Sequence, residues 1–390
     1  MKPVIVAGHV CLDLTPALDS PPSIEPGRLI GVGPLAISPG GCVSNTGLAL
    51  AALGVPTQLV ADVGCDELGR VLVELLAASA ADTAGIARLE GRVTSYSVVV
   101  DFAGRDRTFW HHIGANAAFD GSGVVERIEK AARGVDGPAS DGARDSAGGA
   151  PEPILHLGYS THLPALYAQG GAALVRLLEA ARAAGAMVSL DMAEIDPASA
   201  ARAVEWERLL GRALPAVDVM KASVDDLVAM MPGRIGLGPM GWADLLVELG
   251  AAAAVVTAGA DGLYLRTGPE ERIAGSARTL RAGTRAWSNR ELWVPSLAVR
   301  VLATTGAGDV AAAGFVAGLA QDLGPAESAL LSAAAAATRI SGLPIGRAYE
   351  LAAAFVPSAG PPDGRRAGWH SGPDRVYHGP RDGEANSTTW

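Results

Sequence analysis

Short, uninterrupted runs of apolar residues alternate with Ala- and Leu-rich stretches along most of this 390-residue chain. The runs include PVIVAG (3–8), AMVSLD (186–191) and AAVVTAG (253–259), and GAALVRLLEAARAAG (171–185) is typical of the helical stretches. Continuous apolar character indicates strands that are covered on both faces, as in a parallel sheet between two layers of helices. The sequence therefore predicts an α/β fold, a three-layer αβα sandwich with a mostly parallel central sheet. Ligands of such sheets bind beyond the carboxyl ends of the strands.

Two segments depart from this pattern, because their polar and apolar residues alternate more strictly. They are residues 28–38 and residues 92–113, and the second contains the hairpin-like turn DFAGRD. Together with residues 10–18, they predict a small second sheet that projects from the main body. Projecting flaps of this kind commonly close over substrates, so we expect a β-sheet lid.

Two further segments are rich in Gly, Ala, Asp and Pro. Residues 133–153 predict a flexible insertion, and residues 356–390 predict a disordered tail. The remaining chain, residues 1–355, is expected to form one domain.

The bulk composition excludes several classes of protein. A net charge of −10 and an isoelectric point near 5.2 argue against a nucleic-acid partner. No apolar run approaches the ~18 residues of a spanning helix, and the N-terminus lacks a signal-peptide cleavage site, so no membrane partner is expected. Three cysteines are too few for a disulfide framework, which favours a cytoplasmic location.

The stretch TTGAGDVAAAG (304–314) combines a glycine-rich turn with the start of a helix. Such turns favour anions, yet Asp309 places a carboxylate at the mouth of this one. The stretch is not a phosphate-binding P-loop, because no Lys-Ser/Thr pair follows the glycines. It weakly matches a dinucleotide fingerprint, but a second helix follows where that fold requires a strand.

Phosphoryl transfer to an alcohol would use both features of this turn. Asp309 could accept the proton of the alcohol, and the amides of Gly306, Ala307 and Gly308 could hold the γ-phosphoryl oxygens. The alternative is a purely structural glycine-rich loop with Asp309 as a helix cap. The turn by itself does not separate these two interpretations.

Two other stretches contribute to the choice. The pair Gly40–Gly41 precedes Asn45 at the mouth of a predicted helix, where backbone can approach a ligand and an amide can bind sugar hydroxyls. VVTAGADGLYL (255–265) predicts a strand, a turn and a returning strand that could line a nucleotide. Taken alone, the latter stretch would be better explained as an ordinary β-hairpin.

Taken together, six stretches resemble the ribokinase-like (PfkB) carbohydrate kinase family. They occur in the family's order and span roughly residues 4–340, and they are GHVCLDLTP, PGGCVSNTGLALAALG, VGCDELG, GANAAF, VVTAGADG and TTGAGDVAAAGF. The resemblance implies a ribokinase-like sandwich with a β-lid, and a kinase that uses ATP and Mg²⁺. It also implies phosphorylation of a hydroxymethyl group on a sugar or nucleoside-like substrate, and a homodimer that forms through the lid.

The resemblance also implies roles for individual residues. Asp309 matches the catalytic base, and the anion hole matches Gly306, Ala307 and Gly308. The expected substrate-binding residues are Asp13, Gly40, Gly41, Asn45 and Asn116. The expected nucleotide-lining residues are Thr257, Gly259 and Gly262.

Departures from the family pattern concern the cations. In SVDD, Ser223 and Asp226 replace the Asn and Glu of a motif that organises Mg²⁺ and its waters. We expect Ser223 to lie in the cofactor site and Asp226 to bind the metal through water. Ala303 replaces an aspartate of a monovalent-cation site, which makes potassium activation doubtful. The altered motif leaves open a catalytically silent ligand-sensing relative, and a nicotinamide-dependent reductase is a weaker alternative.

The histidines do not predict a metal site. His111 and His112 are neighbours on a predicted strand, so their side chains point to opposite faces. His156 and His162 lack zinc-site spacing with any cysteine. We expect these residues to be solvated or to pack within the lid.

Overall fold

The computed structural model describes residues 1–20, 25–101, 107–134, 151–357 and 368–383, and their strands form two sheets. The strands are β1 (Val4–Gly8), β2 (Cys11–Pro16), β3 (Leu35–Gly40), β4 (Thr57–Gly64), β5 (Asp82–Leu89), β6 (Tyr96–Val100), β7 (Thr108–His112), β8 (Ile154–Gly158), β9 (Met187–Asp191), β10 (Val219–Ser223), β11 (Ala253–Thr257), β12 (Leu263–Thr267), β13 (Glu291–Val294), β14 (His370–Ser371) and β15 (Tyr377–His378). The helices are α1 (Gly41–Ala52), α2 (Glu67–Ala77), α3 (Val124–Ala132), α4 (Pro164–Ala183), α5 (Trp206–Ala213), α6 (Val224–Met230), α7 (Pro239–Glu248), α8 (Glu270–Ala274), α9 (Arg278–Ala282), α10 (Thr284–Trp287), α11 (Ala307–Ala320), α12 (Pro325–Ser341) and α13 (Ala348–Ala354).

The larger sheet has the strand order β14-β15-β13-β12-β11-β10-β9-β8-β1-β4-β5. From β5 to β11 all neighbouring strands are parallel, and the strands from β12 onward pair antiparallel. The predicted mostly parallel sheet is therefore confirmed. Its carboxyl ends bring the loops after β1, β8, β9, β10 and β11 to one edge, where a ligand site of an α/β fold is expected.

Both faces of this sheet are buried. In β1, Val4 and Val6 pack into one apolar layer, while Ile5 and Ala7 pack into the other. Side chains of a strand alternate between its faces, so this division places a helix layer on each side of the sheet. The continuous apolar runs in the sequence correspond to these strands with two buried faces. The predicted αβα sandwich is therefore confirmed.

Helix α11 is buried along nearly its whole length, from Asp309 to Ala320. It packs closely on α12, because a Cβ atom at Gly314 would lie 2.6 Å from the Leu331 carbonyl oxygen and one at Gly318 would lie 2.5 Å from Ser328 Oγ. The alanines and glycines of α11 therefore allow two helices to approach backbone to backbone. This packing fixes the first turn of α11, which carries Asp309.

The smaller sheet has the order β3-β2-β6-β7 and is the expected lid. One row of register partners across it is polar: Ser38, Asp13, Ser97 and His111. The adjacent row is apolar: Ile37, Leu14, Val98 and Trp110. Adjacent residues of a strand face opposite ways, so the lid has a polar face and an apolar face.

The lid strands are shorter than the sequence predicted. Residues 28–34 are not a strand, and β3 begins only at Leu35, which is paired with Pro16 at the end of β2. Beyond this pair the Ala17 N–H donates to the Pro34 carbonyl at 3.0 Å and the Gly33 N–H donates to the Ala17 carbonyl at 2.8 Å, so the two segments stay in contact although the strands have ended. The predicted turn at residues 102–106 and most of the insertion, residues 135–150, lie outside the described residues.

The prediction of a disordered tail is wrong for residues 368–383. Strand β15 pairs with β13 at the edge of the main sheet, and β14 pairs with β15. The Arg381 guanidinium donates to Glu291 Oε1, and Arg290 donates to Asp382. Composition suggested disorder, but it cannot reveal an edge strand whose unpaired backbone groups bind a later segment.

No described helix is long and apolar enough to cross a membrane.

Removing the Arg381 charge should measurably destabilise the fold. Glu291 is 1% exposed and accepts hydrogen bonds from the Arg381 side chain and the Tyr264 hydroxyl. We expect Arg381→Met to lower the free energy of unfolding by about 1–3 kcal/mol, because it leaves a buried carboxylate without its cation. Urea denaturation would measure the change. Arg70→Met, which removes two exposed ion pairs on α2, is the control and should leave stability unchanged. Equal losses in both variants would contradict the prediction.

Candidate active site

The centre of the candidate site is the first turn of α11. Gly306 caps the helix with a φ of 72°, a left-handed conformation that glycine adopts without strain. The Ala307 N–H donates to the Thr304 carbonyl at 3.1 Å, so that amide is engaged within the turn. The amides of Gly308 and Asp309 lie in the first helical turn, where no intrahelical acceptor exists. The turn therefore offers donors to an anion, although the predicted Ala307 amide would first have to leave its partner.

Asp309 is 2% exposed and points its carboxylate into a polar cluster. Its Oδ2 atom accepts hydrogen bonds from Asn45 Nδ2 and from the Tyr159 hydroxyl, both at 2.9 Å. Its Oδ1 atom is buried and has no hydrogen-bond partner among the described residues. Burial raises the pKa of Asp309, and the nearby Lys221 cation opposes part of that rise. One carboxylate oxygen is thus held in place while the other can accept a proton.

Tyr159 was not identified from the sequence. It follows β8 with a φ of 59°, an uncommon conformation for a residue with a side chain. Its hydroxyl donates to Asp309 across 150 residues of chain. Its position directly after the apolar run that forms β8 was the available signal, since ligand sites lie at strand ends.

A buried ion pair lies beside the turn and was also missed. Lys221 of β10 contacts Asp191 at the end of β9, with Nζ–oxygen distances of 3.1 and 3.2 Å. Burial raises the pKa of Asp191 to about 7, although the Lys221 charge acts against the rise. A Cβ atom at Gly308 would lie 3.2 Å from Lys221 Nζ, so the ammonium group borders the glycine-rich turn. Asp191 ends the predicted strand AMVSLD, and Lys221 lies near the carboxyl end of β10.

Two arginines approach the same loop from other directions. Arg107 of the lid donates to Thr304 Oγ1 at 2.7 Å. Arg339 of α12 donates to the Thr305 carbonyl at 2.8 Å. The loop before the turn is therefore flanked by positive charge, which favours a phosphate-bearing ligand.

The predicted glycine pair lies where two side chains meet the backbone. A Cβ atom at Gly40 would lie 2.3 Å from Asp13 Oδ2, and one at Gly41 would lie 2.6 Å from His9 Nδ1. Gly41 also has a φ of 82°. The two glycines therefore let the start of α1 pack directly against Asp13 and His9. Burial raises the pKa of Asp13, which lies on the polar face of the lid.

The two predicted asparagines have different surroundings. Asn45 projects from α1 and holds Asp309, so it belongs to the same cluster as the proposed base. Asn116 is fully buried, and its side-chain oxygen and nitrogen both bond to the backbone of Val10. Its amide therefore fixes the chain after His9, and substrate binding by Asn116 stays a prediction.

The predicted nucleotide-lining residues lie at the ends of neighbouring strands. Thr257 of β11 is the register partner of Ser223 of β10, and Gly259 and Gly262 bound the turn before β12. Ser223 caps α6 by accepting from the Asp226 N–H, while Asp226 Oδ2 accepts from the Ser223 N–H at 2.8 Å. The departure from the family motif is thus a capping box. Burial raises the pKa of Asp226, with Lys221 opposing it.

The chain is similar to known proteins in both sequence and fold. The model of the pfkB family of carbohydrate kinases matches residues 1–133 and 165–343. The structure is similar to that of a ribokinase from Thermotoga maritima, with a TM-score of 0.65, 18% identity and coverage of 91% of this chain and 100% of the other.

Two ligand complexes are also similar. One is Arabidopsis thaliana ribokinase complexed with ribose and ATP (TM-score 0.64, 17% identity, 91% of this chain and 99% of the other). The other is a candidate ribokinase II from E. coli in complex with ATP and Mg²⁺ (TM-score 0.62, 19% identity, 89% and 96%). At these identities the likeness establishes the shared fold.

Proposed function

Because the chain belongs to the pfkB family of carbohydrate kinases, we propose that it transfers the γ-phosphoryl group of ATP to a hydroxymethyl group of a sugar or nucleoside-like substrate. The observation that carries the proposal is the orphaned Oδ1 atom of Asp309, a buried acceptor at the start of a helix whose amides favour an anion. A purely structural helix cap would use its carboxylate on its own helix, whereas the contacts of this one come from Asn45 and Tyr159.

The proposed reaction is a direct in-line transfer. Asp309 Oδ1 accepts the proton of the substrate hydroxyl, and the resulting oxygen forms a bond to the γ-phosphorus. The bond between that phosphorus and the bridging oxygen of the β-phosphate breaks, so ADP leaves. The amides of Gly308 and Asp309, with the Lys221 ammonium group beside them, stabilise charge on the transferred group.

The donors around the turn fit the cofactors of the family. Ser223, Thr257, Gly259 and Gly262 form the proposed nucleotide-binding region, and relatives of the same fold have been solved with ATP. Asp226 is the proposed water-mediated ligand of Mg²⁺, since it offers oxygen atoms to a hard cation. Bound Mg²⁺ would neutralise charge on the phosphates. Ala303 offers no carboxylate for a monovalent cation, so we propose no such site there.

Substrate binding is proposed for the polar face of the lid and the start of α1. Asn45 donates to Asp309, Asp13 is close enough to interact electrostatically with Asp309, and Gly40 and Gly41 lie against Asp13 and His9. The chain's cysteines, Cys11, Cys42 and Cys65, are free thiols, which suits the reducing cytoplasm that we propose as its location.

The proposal is tested by ADP release from the purified chain with ATP and Mg²⁺ against a panel of pentoses, hexoses and nucleosides. We expect one chemical class to stimulate ADP release well above the rate without acceptor. The Asp309→Asn variant, purified in the same way, controls for contaminating kinases. If no acceptor raises the wild-type rate above that variant while sugars still bind, the ligand-sensing alternative suggested by the altered Ser223–Asp226 motif is favoured instead.

Activity should fall on the acid side at a higher pH than an ordinary aspartate would give. Burial raises the pKa of Asp309, and the base acts only when ionised. As pH falls through that raised pKa, the protonated fraction grows, so kcat/KM should drop about tenfold per pH unit below it. A pH profile of kcat/KM would measure this acid-side decrease, and circular dichroism would show that the chain stays folded. A flat profile down to the ordinary range, about pH 4, would contradict it.

We also propose that two copies pair through the apolar face of the lid. That face presents the exposed side chains of Leu35, Ile37 and Trp110, and its strands β3 and β7 are both sheet edges. Trp110→Glu should convert the dimer to a monomer, as measured by size-exclusion chromatography with light scattering. Val356→Glu, at an exposed apolar residue outside the lid, is the control and should leave the dimer intact. A monomeric wild type, or dissociation in both variants, would contradict the proposal.

A further inference from the structure

Three histidines from distant segments meet where the lid joins the main body. His9 follows β1, His111 lies on β7 of the lid, and His162 lies in the turn after β8. Each offers one ring nitrogen, and these three atoms all lie within 4.8 Å of one another. The Nε2 atoms of His9 and His111 are 3.3 Å apart. Two nitrogens bound to one tetrahedral zinc ion at about 2.0–2.1 Å would be separated by about 3.3 Å.

The surroundings of His162 fix which of its nitrogens is available. Its Nε2 lies 2.8 Å from the Glu194 carbonyl oxygen, which can only accept, so Nε2 carries the hydrogen. Its Nδ1 therefore has a free lone pair, and this atom is buried with no hydrogen-bond partner in the described part of the chain. A backbone carbonyl that holds the outer nitrogen of a histidine is the usual partner of a metal-ligating imidazole.

His111 has a comparable outer partner. Its Nδ1 lies 3.0 Å from Ser97 Oγ, on the neighbouring lid strand, which leaves Nε2 directed at His9. The rings of His9 and His162 lie with centroids 5.2 Å apart and those of His111 and His162 with centroids 5.8 Å apart. The three rings thus surround one point, and two of them are oriented by hydrogen bonds to their far sides.

From this geometry we propose that His9, His111 and His162 bind one transition-metal ion of the Zn²⁺ type, through His9 Nε2, His111 Nε2 and His162 Nδ1. Neutral imidazoles are preferred ligands of such ions, and three of them leave a fourth coordination position open. The site is separate from the proposed Mg²⁺ position, which uses carboxylate oxygens, and it does not rest on the proposed kinase activity.

The site lies beside the proposed substrate space. The His9 ring stacks on Tyr159 with centroids 5.9 Å apart, and Tyr159 donates to Asp309. Ser97, which orients His111, is the register partner of Asp13. The open position therefore borders the same space, and its ligand is an oxygen atom, either of a water molecule or of a substrate hydroxyl or carboxylate. Because His111 belongs to the lid, a bound ion also ties the lid to the body.

Isothermal titration calorimetry of the full chain, stripped of metal and free of nucleotide and sugar, tests the site with Zn²⁺ as the probe. We expect one tight equivalent in the wild type. His162→Ala and His111→Ala should each weaken binding by at least about 100-fold, since loss of an outer-shell partner alone costs 10–100-fold. Substituting Co²⁺ should give the visible absorption of a four-coordinate ion in the wild type and not in these variants.

His112→Ala is the matched control. His112 is adjacent to His111 on the same strand and faces the other way, so its removal should leave Zn²⁺ affinity unchanged. Circular dichroism would show that all variants are folded. The proposal is overturned if the wild type binds no stoichiometric Zn²⁺, in which case the three rings are left to contact substrate directly, or if His112→Ala weakens binding as much as His162→Ala does. Either result is independent of whether the chain phosphorylates a sugar.

Discussion

Replacing Asp309 by Asn should lower kcat by about 10²–10⁴-fold, the usual contribution of a general base. The amide has nearly the same shape as the carboxylate, so the contacts from Asn45 and Tyr159 retain an oxygen acceptor, and the bond from Thr46 Oγ1 to the Asp309 carbonyl is unaffected. What the variant lacks is an Oδ1 atom that can take a proton. Steady-state kinetics with the best acceptor would measure the loss, and KM should change much less than kcat.

The control for this substitution is Asp82→Asn, which makes the same chemical change at an exposed residue of β5. Both variants should unfold at temperatures close to that of the wild type. The mechanism fails if Asp309→Asn turns over at the wild-type rate. If thermal unfolding shows that Asp309→Asn is no longer folded, Asp309→Glu provides the second measurement. That variant keeps a carboxylic acid at this position and should retain more activity than the amide variant.

The second large effect is expected for Lys221→Met. Lys221 and Asp191 are 7% and 0% exposed at their side chains, so the methionine leaves a buried carboxylate without its cation. Breaking a buried pair in this way costs about 3–5 kcal/mol of unfolding free energy. The variant should also lose turnover, because the ammonium group beside Gly308 is gone. Urea denaturation and kinetics would measure the two effects separately.

The stability loss should grow with pH. Burial raises the pKa of Asp191 to about 7 in the folded chain, above the value near 3.9 of an unfolded aspartate. Between these values the folded state binds more protons than the unfolded state, so ionisation of this group costs stability as pH rises. Removing Lys221 raises the pKa of Asp191 further. The deficit of Lys221→Met relative to the wild type should therefore be larger at pH 8 than at pH 6.

The double variant Lys221→Met/Asp191→Asn separates stability from catalysis. It removes the Asp191 carboxylate charge, which in the single variant is buried without a cation. The double variant should therefore recover much of the lost unfolding free energy while turnover stays low. If the single and double variants are equally unstable, the ion pair is not the source of the effect. If the single variant is as active as the wild type, Lys221 has no part in stabilising the transferred group.

Local sequence patterns identified some residues of the site and not others. The sequence identified the turn around Gly306, the glycine pair Gly40–Gly41 and the acid Asp309. Glycine is the residue that permits unusual backbone conformations and close approach, and a carboxylate at a helix N-terminus interacts with the helix dipole, so these residue types could be interpreted locally. Tyr159 and Lys221 were not, because a tyrosine or lysine near a strand end has many ordinary explanations. Only their contacts with Asp309 and Asp191 distinguish them.

Contacts between segments that are distant in sequence were not predicted either. Composition predicted a disordered tail, yet the Arg381 side chain donates a hydrogen bond to Glu291, 90 residues earlier in the chain. Asn116 was predicted to bind the substrate, which stays a prediction, and only the fold shows that its amide bonds to the backbone of Val10. Histidine spacing along the chain likewise does not reveal that the Nε2 atoms of His9 and His111, which are 102 residues apart in sequence, lie 3.3 Å apart in space.

The sequence by itself determined the alternation of strands and helices, the sandwich that follows from it and the glycine positions at the mouth of α11, because periodicity, apolar burial and backbone freedom act between residues that are close along the chain. Tertiary structure alone decided which side chains share the site. Asn45 reaches Asp309 across 264 residues, a contact set by strand order and helix packing and recorded in no local propensity.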